Sequence, residues 1–283
     1  MADAGLNTLL LGYNTNGMAH HALEDAVRLL AEIGYRSVAI TVDHGALEPG
    51  DECTPNQLKE LKRLLDRLGM RSVIETGARF LLDPRQKHEP TLVSAHAAGR
   101  ARRVDFYRHC LRCAAELESD CVSIWSGEVH DGALRQEAMA RLVEGLEEVL
   151  EAAAGEGVPI GFEPEPGMLI ETMEGYEELL GRVDSPWLRL TLDVGHVHCQ
   201  REGPISEVIR RWAARLVNVH LEDMRAGVHE HLMFGEGEID FSPVFEALKE
   251  IGYSGGVHVE LSRHSHEAPA AARRALKYLR ALV

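Results

Sequence analysis

Short apolar runs of five to seven residues recur along the chain, each followed by a loop, a stretch with helical periodicity, and then the next run. This pattern predicts strands over 8–14, 37–43, 71–77, 121–127, 159–164, 188–193, 216–222 and 256–262. Helices are predicted near 20–33, 55–68, 99–118, 133–154, 173–180, 204–213, 242–250 and 268–281. Thr54-Pro55 and Ser242-Pro243 read as a cap followed by a first-turn proline, and Gly34, Gly69 and Gly252 stand where helices should stop. Eight strands alternating strictly with eight helices predict an α/β protein, a single (β/α)8 TIM barrel domain spanning 1–283. The rival, a doubly wound open sheet, needs a glycine-rich first turn, and Gly12-Tyr-Asn-Thr-Asn-Gly17 fits that fingerprint poorly.

The last four strands share a second feature. Pro159-Ile-Gly-Phe-Glu163, Leu188-Arg-Leu-Thr-Leu-Asp193, Leu216-Val-Asn-Val-His220 and Gly256-Val-His-Val-Glu260 each end in a residue able to bind a divalent metal. Side chains alternate faces along a strand, so Ile160 and Phe162, Leu190 and Leu192, Val217 and Val219, and Val257 and Val259 are expected on one apolar side. Glu163, Asp193, His220 and Glu260 then share the other side and the same end, which is where barrels of this kind carry their active face. A carboxylate ending a strand often only caps the next helix. Four in succession are better explained as a metal site.

Three carboxylates and one imidazole form a hard donor set, suited to one Mn²⁺, Mg²⁺ or Co²⁺ ion, with Zn²⁺ admissible because of the histidine. A cation bridging adjacent carbonyl and hydroxyl oxygens stabilises the enediolate left when the neighbouring C–H proton departs, and an acid and a base must still move that proton. Glu163 and Glu260 are the candidates for that work, on strands expected to face each other across the barrel. His196, one turn beyond Asp193, is expected to contact the substrate carbonyl. Trp125 ends strand four and could stack on a sugar face.

Two loops at the active end exceed the ~2–6 residues usual there, 78–98 and 223–241. The first carries Arg79, Arg85, Lys87 and His88, a basic cluster that could meet an anion or a sugar. The second carries His229-Glu-His231.

These motifs resemble the xylose isomerase-like barrel superfamily, which includes ketose 3-epimerases, hydroxypyruvate isomerase, inosose dehydratase and endonuclease IV. The matching pieces are Glu163, Asp193-Val-Gly-His196, His220-Leu-Glu-Asp and Glu260, with Gly235-Glu-Gly237-Glu-Ile-Asp240 as the glycine-rich segment before helix seven. For the epimerases the resemblance implies a metal-bound glutamate pair, here Glu163 and Glu260, serving the two substrate faces. It also implies a glutamate six residues after the strand-five ligand, where Leu169 stands, so Glu165 is the substitute considered; the arginine expected six after the strand-seven histidine is Arg225, five after it. Endonuclease IV would imply additional metal ligands at His229 and His231, but histidines it needs on strands two to four are replaced by Asp43-His44, Glu75 and Trp125. The expected activity is therefore isomerisation or epimerisation of a small ketose, keto-acid or inosose. A dehydratase or lyase on the same substrates and a phosphodiester hydrolase are the alternatives.

Composition narrows the choice. The 283 residues are 45% hydrophobic, enough for one large core. Thirty basic against 45 acidic residues leave a net charge of −15, a field that repels polyanions, so nucleic acid is an unexpected partner and a small sugar-like molecule the expected one. No apolar stretch approaches the roughly 20 residues needed to span a bilayer. Met1-Ala-Asp-Ala-Gly5 does not resemble an export signal, so a cytoplasmic protein is expected, and self-association into a homo-oligomer stays open. The odd number of cysteines suits a reducing compartment. Cys110 and Cys113 fall within a helical pattern near Phe106, Leu111 and Leu117, which favours core packing over zinc. His258 lies one layer below Glu260 and is expected to be packed or to support a ligand.

Overall fold

A computed structural model describes residues 9–52, 54–77 and 79–282. Thr8 at the start of the first predicted strand, the first five residues, Cys53 and Ala78 lie outside the described residues.

Eight parallel strands close into a barrel: β1 (Leu10–Asn14), β2 (Ser37–Thr41), β3 (Arg71–Glu75), β4 (Val122–Ile124), β5 (Ile160–Phe162), β6 (Leu188–Asp193), β7 (Leu216–Leu221) and β10 (Gly256–Val259). Each strand pairs with the next one of the barrel in sequence, and β10 closes the ring against β1 with Leu10 opposite Gly256. Between them run α1 (Leu23–Ile33), α2 (Thr54–Leu68), α3 (Ala97–Leu117), α4 (Arg135–Glu156), α5 (Met173–Leu180), α6 (Val194–Cys199), α7 (Ile205–Trp212) and α8 (Ser242–Glu250), and α9 (Ala268–Leu279) follows β10. Each predicted strand and helix has its counterpart.

The alternating pattern works as expected on most strands. Phe162, Leu190, Leu192, Val219, Leu221, Val257 and Val259 all join the large core between sheet and helices. Val217 does not. The β6–β7 register slips between Leu190 and Thr191, so that Leu216 and Asn218 face consecutive residues and Val217 is the extra one. It packs instead with Ala39, Val73 and Cys121, in a small cluster separate from the main core.

Two predicted caps shift by one residue. α2 begins at Thr54 itself, whose hydroxyl donates to Glu48 O at 2.8 Å, and α8 begins at Ser242, whose N–H donates to the Asp240 carboxylate at 3.0 Å. At the other end of α1, Gly34 holds φ at +118° and returns its N–H to Leu30 O, as a helix stop requires.

Several elements were not expected, among them a 3-10 turn over Thr15–Met18 that follows β1 directly. α6 starts directly on the end of β6, with Asp193 as its cap: the Asp193 carboxylate accepts from His196 N–H at 2.8 Å. The 223–241 loop contains an antiparallel hairpin, β8 (Asp223–Arg225) and β9 (Val228–Leu232). A short 3-10 turn covers Ser262–Glu267. Asp223 explains the hairpin's attachment, because its carboxylate accepts from the N–H groups of Gly235, Gly237 and Ile239 at 2.8, 2.9 and 3.1 Å. A side chain at 237 would collide with that carboxylate, which accounts for the glycine. Cys110 and Cys113 are buried in α3 with free thiols, as core residues, and burial pushes the Cys113 thiol up to about 12. Among the described residues no helix is long and apolar enough to cross a membrane.

Candidate metal centre

At the C-terminal ends of the strands, the side chains of Glu163, Asp193, His220 and Glu260 converge so that their donor atoms all lie within 4.8 Å of one another. His220 Nδ1 stands at the middle. Glu163 Oε1 is 3.0 Å from it, Glu260 Oε2 2.9 Å and Asp193 Oδ2 3.9 Å. The register produces this: Asp193 pairs with His220 across β6–β7, and His258 pairs with His220 across β7–β10. The two glutamates do not face each other across the barrel. β5 and β10 are three places apart in the ring, with β6 and β7 between them, so Glu163 and Glu260 flank His220 instead.

Glu75 supports the imidazole from below. Its Oε1 lies 2.9 Å from His220 Nε2 and accepts from Asn218 Nδ2 at 3.0 Å. Asn218 in turn meets His258 Nδ1 at 2.8 Å, and His258 Nε2 meets the Ser37 hydroxyl at 2.8 Å. His258 is thus a buried supporting residue, kept neutral because burial lowers it to about 3. Glu75 was absent from the residues the sequence singled out as ligands or supports. It is an acid at the end of β3, level with Gly161 and so one layer below Glu163, and its position closing an apolar strand was the signal the sequence offered.

A cation would balance this cluster. Burial pushes the Glu163 carboxyl up to about 8 despite the pull of His220. Glu165 and Glu222 are driven well above the usual carboxylate range by burial and by their acidic neighbours. Glu260 goes the other way: burial works against its charge, but His220, His231 and the Asn16 amide hold it below the ordinary range. Asp193 Oδ2 is buried without a hydrogen-bond partner. A buried carboxylate oxygen aimed at a histidine and two further carboxylates fits a divalent ion, which would compensate their mutual repulsion.

A cavity of about 360 Å³ opens over this cluster. Its walls include Glu163, Glu260, His220, Trp125, Glu165 and Arg79 among the expected residues, with His229 and His231 from β9 and Lys87 from the long loop. Trp125 is held edge-on by His88 and lies under the buried Arg103 guanidinium, 5.0 Å from the ring centre. Asn16 also lines the cavity and donates to Glu260 Oε1 at 2.7 Å. It was missed because nothing marks an asparagine in the turn after β1 as functional.

Two expected residues are elsewhere. Arg225 is exposed on β8 and donates to Glu236 O at 2.8 Å, tying the hairpin to the glycine-rich segment rather than reaching the cavity. His196 is 4% exposed and stands behind the wall. Its Nδ1 is 3.1 Å from Pro164 O, so Nδ1 carries the proton, and its Nε2 faces His229 Nε2 at 3.1 Å. His231 Nδ1 likewise donates to Glu260 O at 3.1 Å. His196, His229 and His231 form a second group of donors within 4.8 Å, and Glu163, Glu165 and His196 a third.

The profile of the xylose isomerase-like TIM barrel family matches residues 27–282. The chain belongs to this family. Within it, the chain is similar to the L-ribulose-5-phosphate 3-epimerase UlaE of Shigella flexneri, 26% identical over 251 residues that cover 87% of this chain and 84% of that protein. The fold is also that of a D-tagatose 3-epimerase-like protein, at a TM-score of 0.75 and 24% identity, covering 96% of this chain and 99% of the other. The IolI protein, whose structure holds a zinc atom, superposes at a TM-score of 0.77 and 20% identity over 97% of this chain and 98% of its own.

Proposed function

We propose that this member of the family is a divalent-metal-dependent sugar isomerase or epimerase, acting on a small ketose, keto-acid or inosose with Glu163 and Glu260 as its acid and base. The observation that carries this reading is the placement of the two carboxylates at 3.0 and 2.9 Å on either side of His220 Nδ1, both on the wall of one polar cavity. The name of the UlaE relative and the zinc in the IolI structure support it.

Glu163, Asp193, His220 and Glu260 would hold one ion, with Mn²⁺, Mg²⁺ or Co²⁺ suited to the carboxylates and Zn²⁺ also acceptable. Such an ion would supply Lewis acidity to the substrate carbonyl and so acidify the C–H on the neighbouring carbon. Glu163 and Glu260 follow different strands and flank His220, so that one would remove the proton of the substrate carbon and the other return one to it. The Asn16 amide fixes the Glu260 carboxylate by donating to Oε1. Glu75 orients His220, and Trp125 gives the sugar a flat apolar wall. Arg79, Glu165 and His229 would meet substrate hydroxyls from the same cavity.

His229 and His231 could add a second ion with His196. The specific support is tautomeric: the carbonyls of Pro164 and Glu260 take the Nδ1 protons of His196 and His231, which leaves a lone pair on each Nε2. A hydrolase of the endonuclease type is disfavoured by the rest of the site. Glu75 is engaged by His220, and His44 is 64% exposed and paired with Glu48.

The test is to incubate the metal-loaded protein with a panel of ketoses, keto-acids and inososes in D₂O. Deuterium is expected at the carbon next to the carbonyl, in an isomer of otherwise unchanged mass. Loss of water would indicate a dehydratase. Absence of exchange on every ketose, keto-acid and inosose would refute the proposal.

A further inference from the structure

A second cavity, of about 480 Å³, lies beside the first, between the turn after β1 and the loop after β2. Asn16, Thr41 and Arg79 belong to the walls of both, so a molecule seated against Glu260 has the side cavity as its immediate neighbour. Arg79 stands at the junction. Its guanidinium donates to Asn16 O at 3.2 Å, and among the described residues it forms no ion pair, although the chain carries a net charge of −15.

The two cavities differ in chemistry. The first is lined by charged and polar groups, with carboxylates and imidazoles such as Glu163, Glu260 and His220 beside the basic Lys87 and Arg263. The second has an apolar floor of Met18, Leu23 and Ala26, an aromatic rim in Phe80, and polar groups at Asp43 and His44. Phe80 is 45% exposed, one of three large hydrophobic side chains left open among the described residues. His21 Nδ1 and Asn16 Oδ1, on residues that line this cavity, are buried without a hydrogen-bond partner. An aromatic face, an apolar floor and scattered polar groups suit a ring with apolar faces and hydroxylated edges. The metal-centre cavity alone falls within the ~300–1,000 Å³ of ordinary small-molecule sites, so the side cavity is additional to what a free monosaccharide needs.

We propose that the side cavity is a second sugar subsite, and that the substrate is a ketose carrying a further sugar ring, with Arg79 over the linkage. This rests on the epimerase reading of the metal centre and narrows its substrate class.

Binding and turnover separate the two claims. Metal-loaded protein is titrated calorimetrically with fructose and with fructose bearing a glucosyl group on O4 or O6, and deuterium uptake at C3 is followed for each sugar in D₂O. At least one glucosyl ketose is expected to bind tenfold or more tightly than fructose. Ala22→Trp, which adds bulk at an exposed position on the cavity wall, and Phe80→Ala should each bring that ratio close to one. Comparing ratios within one variant guards against a general loss of folding, and the two variants change the cavity in opposite ways. Equal affinity for fructose and both glucosyl ketoses in the wild type, or an unchanged ratio in both variants, would overturn the subsite. If the preference holds but no sugar gains deuterium, the subsite stands and the epimerase reading fails.

Discussion

His220 and Glu75 share a buried contact of 2.9 Å between Nε2 and Oε1, on the side of the imidazole turned away from the metal-type cluster. The carboxylate holds the ring so that Nδ1 faces Glu163, Asp193 and Glu260. Partners of this kind orient a ligating histidine and raise its basicity, and losing one typically lowers metal affinity about 10–100-fold. Glu75→Gln should therefore weaken Mn²⁺ binding by roughly that factor in a calorimetric titration, with the circular dichroism spectrum unchanged. Unaltered affinity would remove Glu75 from the site.

Removal of the ion tests the donor set itself. Chelation should abolish turnover, and added Mn²⁺, Mg²⁺ or Co²⁺ should restore it. Asp193→Asn should prevent that recovery, because the amide replaces an anionic donor whose buried Oδ2 makes no hydrogen bond. Elemental analysis of purified His229→Asn and His231→Asn proteins should find about one ion per chain, and a higher count in the wild type would show the second group of imidazoles to be occupied.

Metal binding should also depend on pH, with a definite sign. Glu163 is pushed up to about 8 by burial, and His220 is held well above its ordinary value by Glu75, Glu163 and Glu260 although burial opposes its charge. Both groups therefore carry protons near neutrality when no ion is bound, and those protons must leave on binding. Affinity should rise as pH increases towards 8 and fall at lower pH. Calorimetry at neutral pH in two buffers of different ionisation enthalpy should detect release of roughly one to two protons per ion. Binding that releases none would contradict these protonation states.

Arg103 supports the long loop from within the core. It donates to the carbonyls of His88 and Pro90 and lies over the rings of Phe106, Tyr107 and Trp125. Arg103→Met keeps much of the packing but leaves two carbonyls without their charged donor, a loss of about 2–3 kcal/mol. Thermal unfolding should shift down accordingly. A change within measurement error would mean that the loop is held by other contacts.

The barrel was legible because apolar runs, loops and helical stretches alternate so regularly, and because a donor stands at or next to the C-terminal end of β5, β6, β7 and β10. Alternation along each strand already sets the face each donor takes, and the register between strands then brings the four together. What was hidden depends on contacts between distant segments. The β-bulge that turns Val217 inward exists only relative to β6. Glu75 and Asn16 become part of the site through His220 and Glu260, 145 and 244 residues away. Glu222, within the His220-Leu-Glu-Asp motif, is fully buried and fills the space beside Gly195, where a side chain would collide with it, a contact between separate strands and helices that the motif does not display. Arg225 was misplaced because sequence spacing could not reveal that β8 and β9 turn it outward.

Wash-in of solvent deuterium measures most directly whether Glu163 and Glu260 move the substrate proton. Glu163→Gln and Glu260→Gln proteins, loaded with metal at concentrations that saturate any weakened site, are incubated with a ketose that the wild type turns over in D₂O. Each variant should still bind the sugar while deuterium uptake at the reacting carbon falls by at least the ~10²–10⁴-fold attributed to a general acid or base. Uptake at the wild-type rate in either variant would contradict the two-glutamate mechanism.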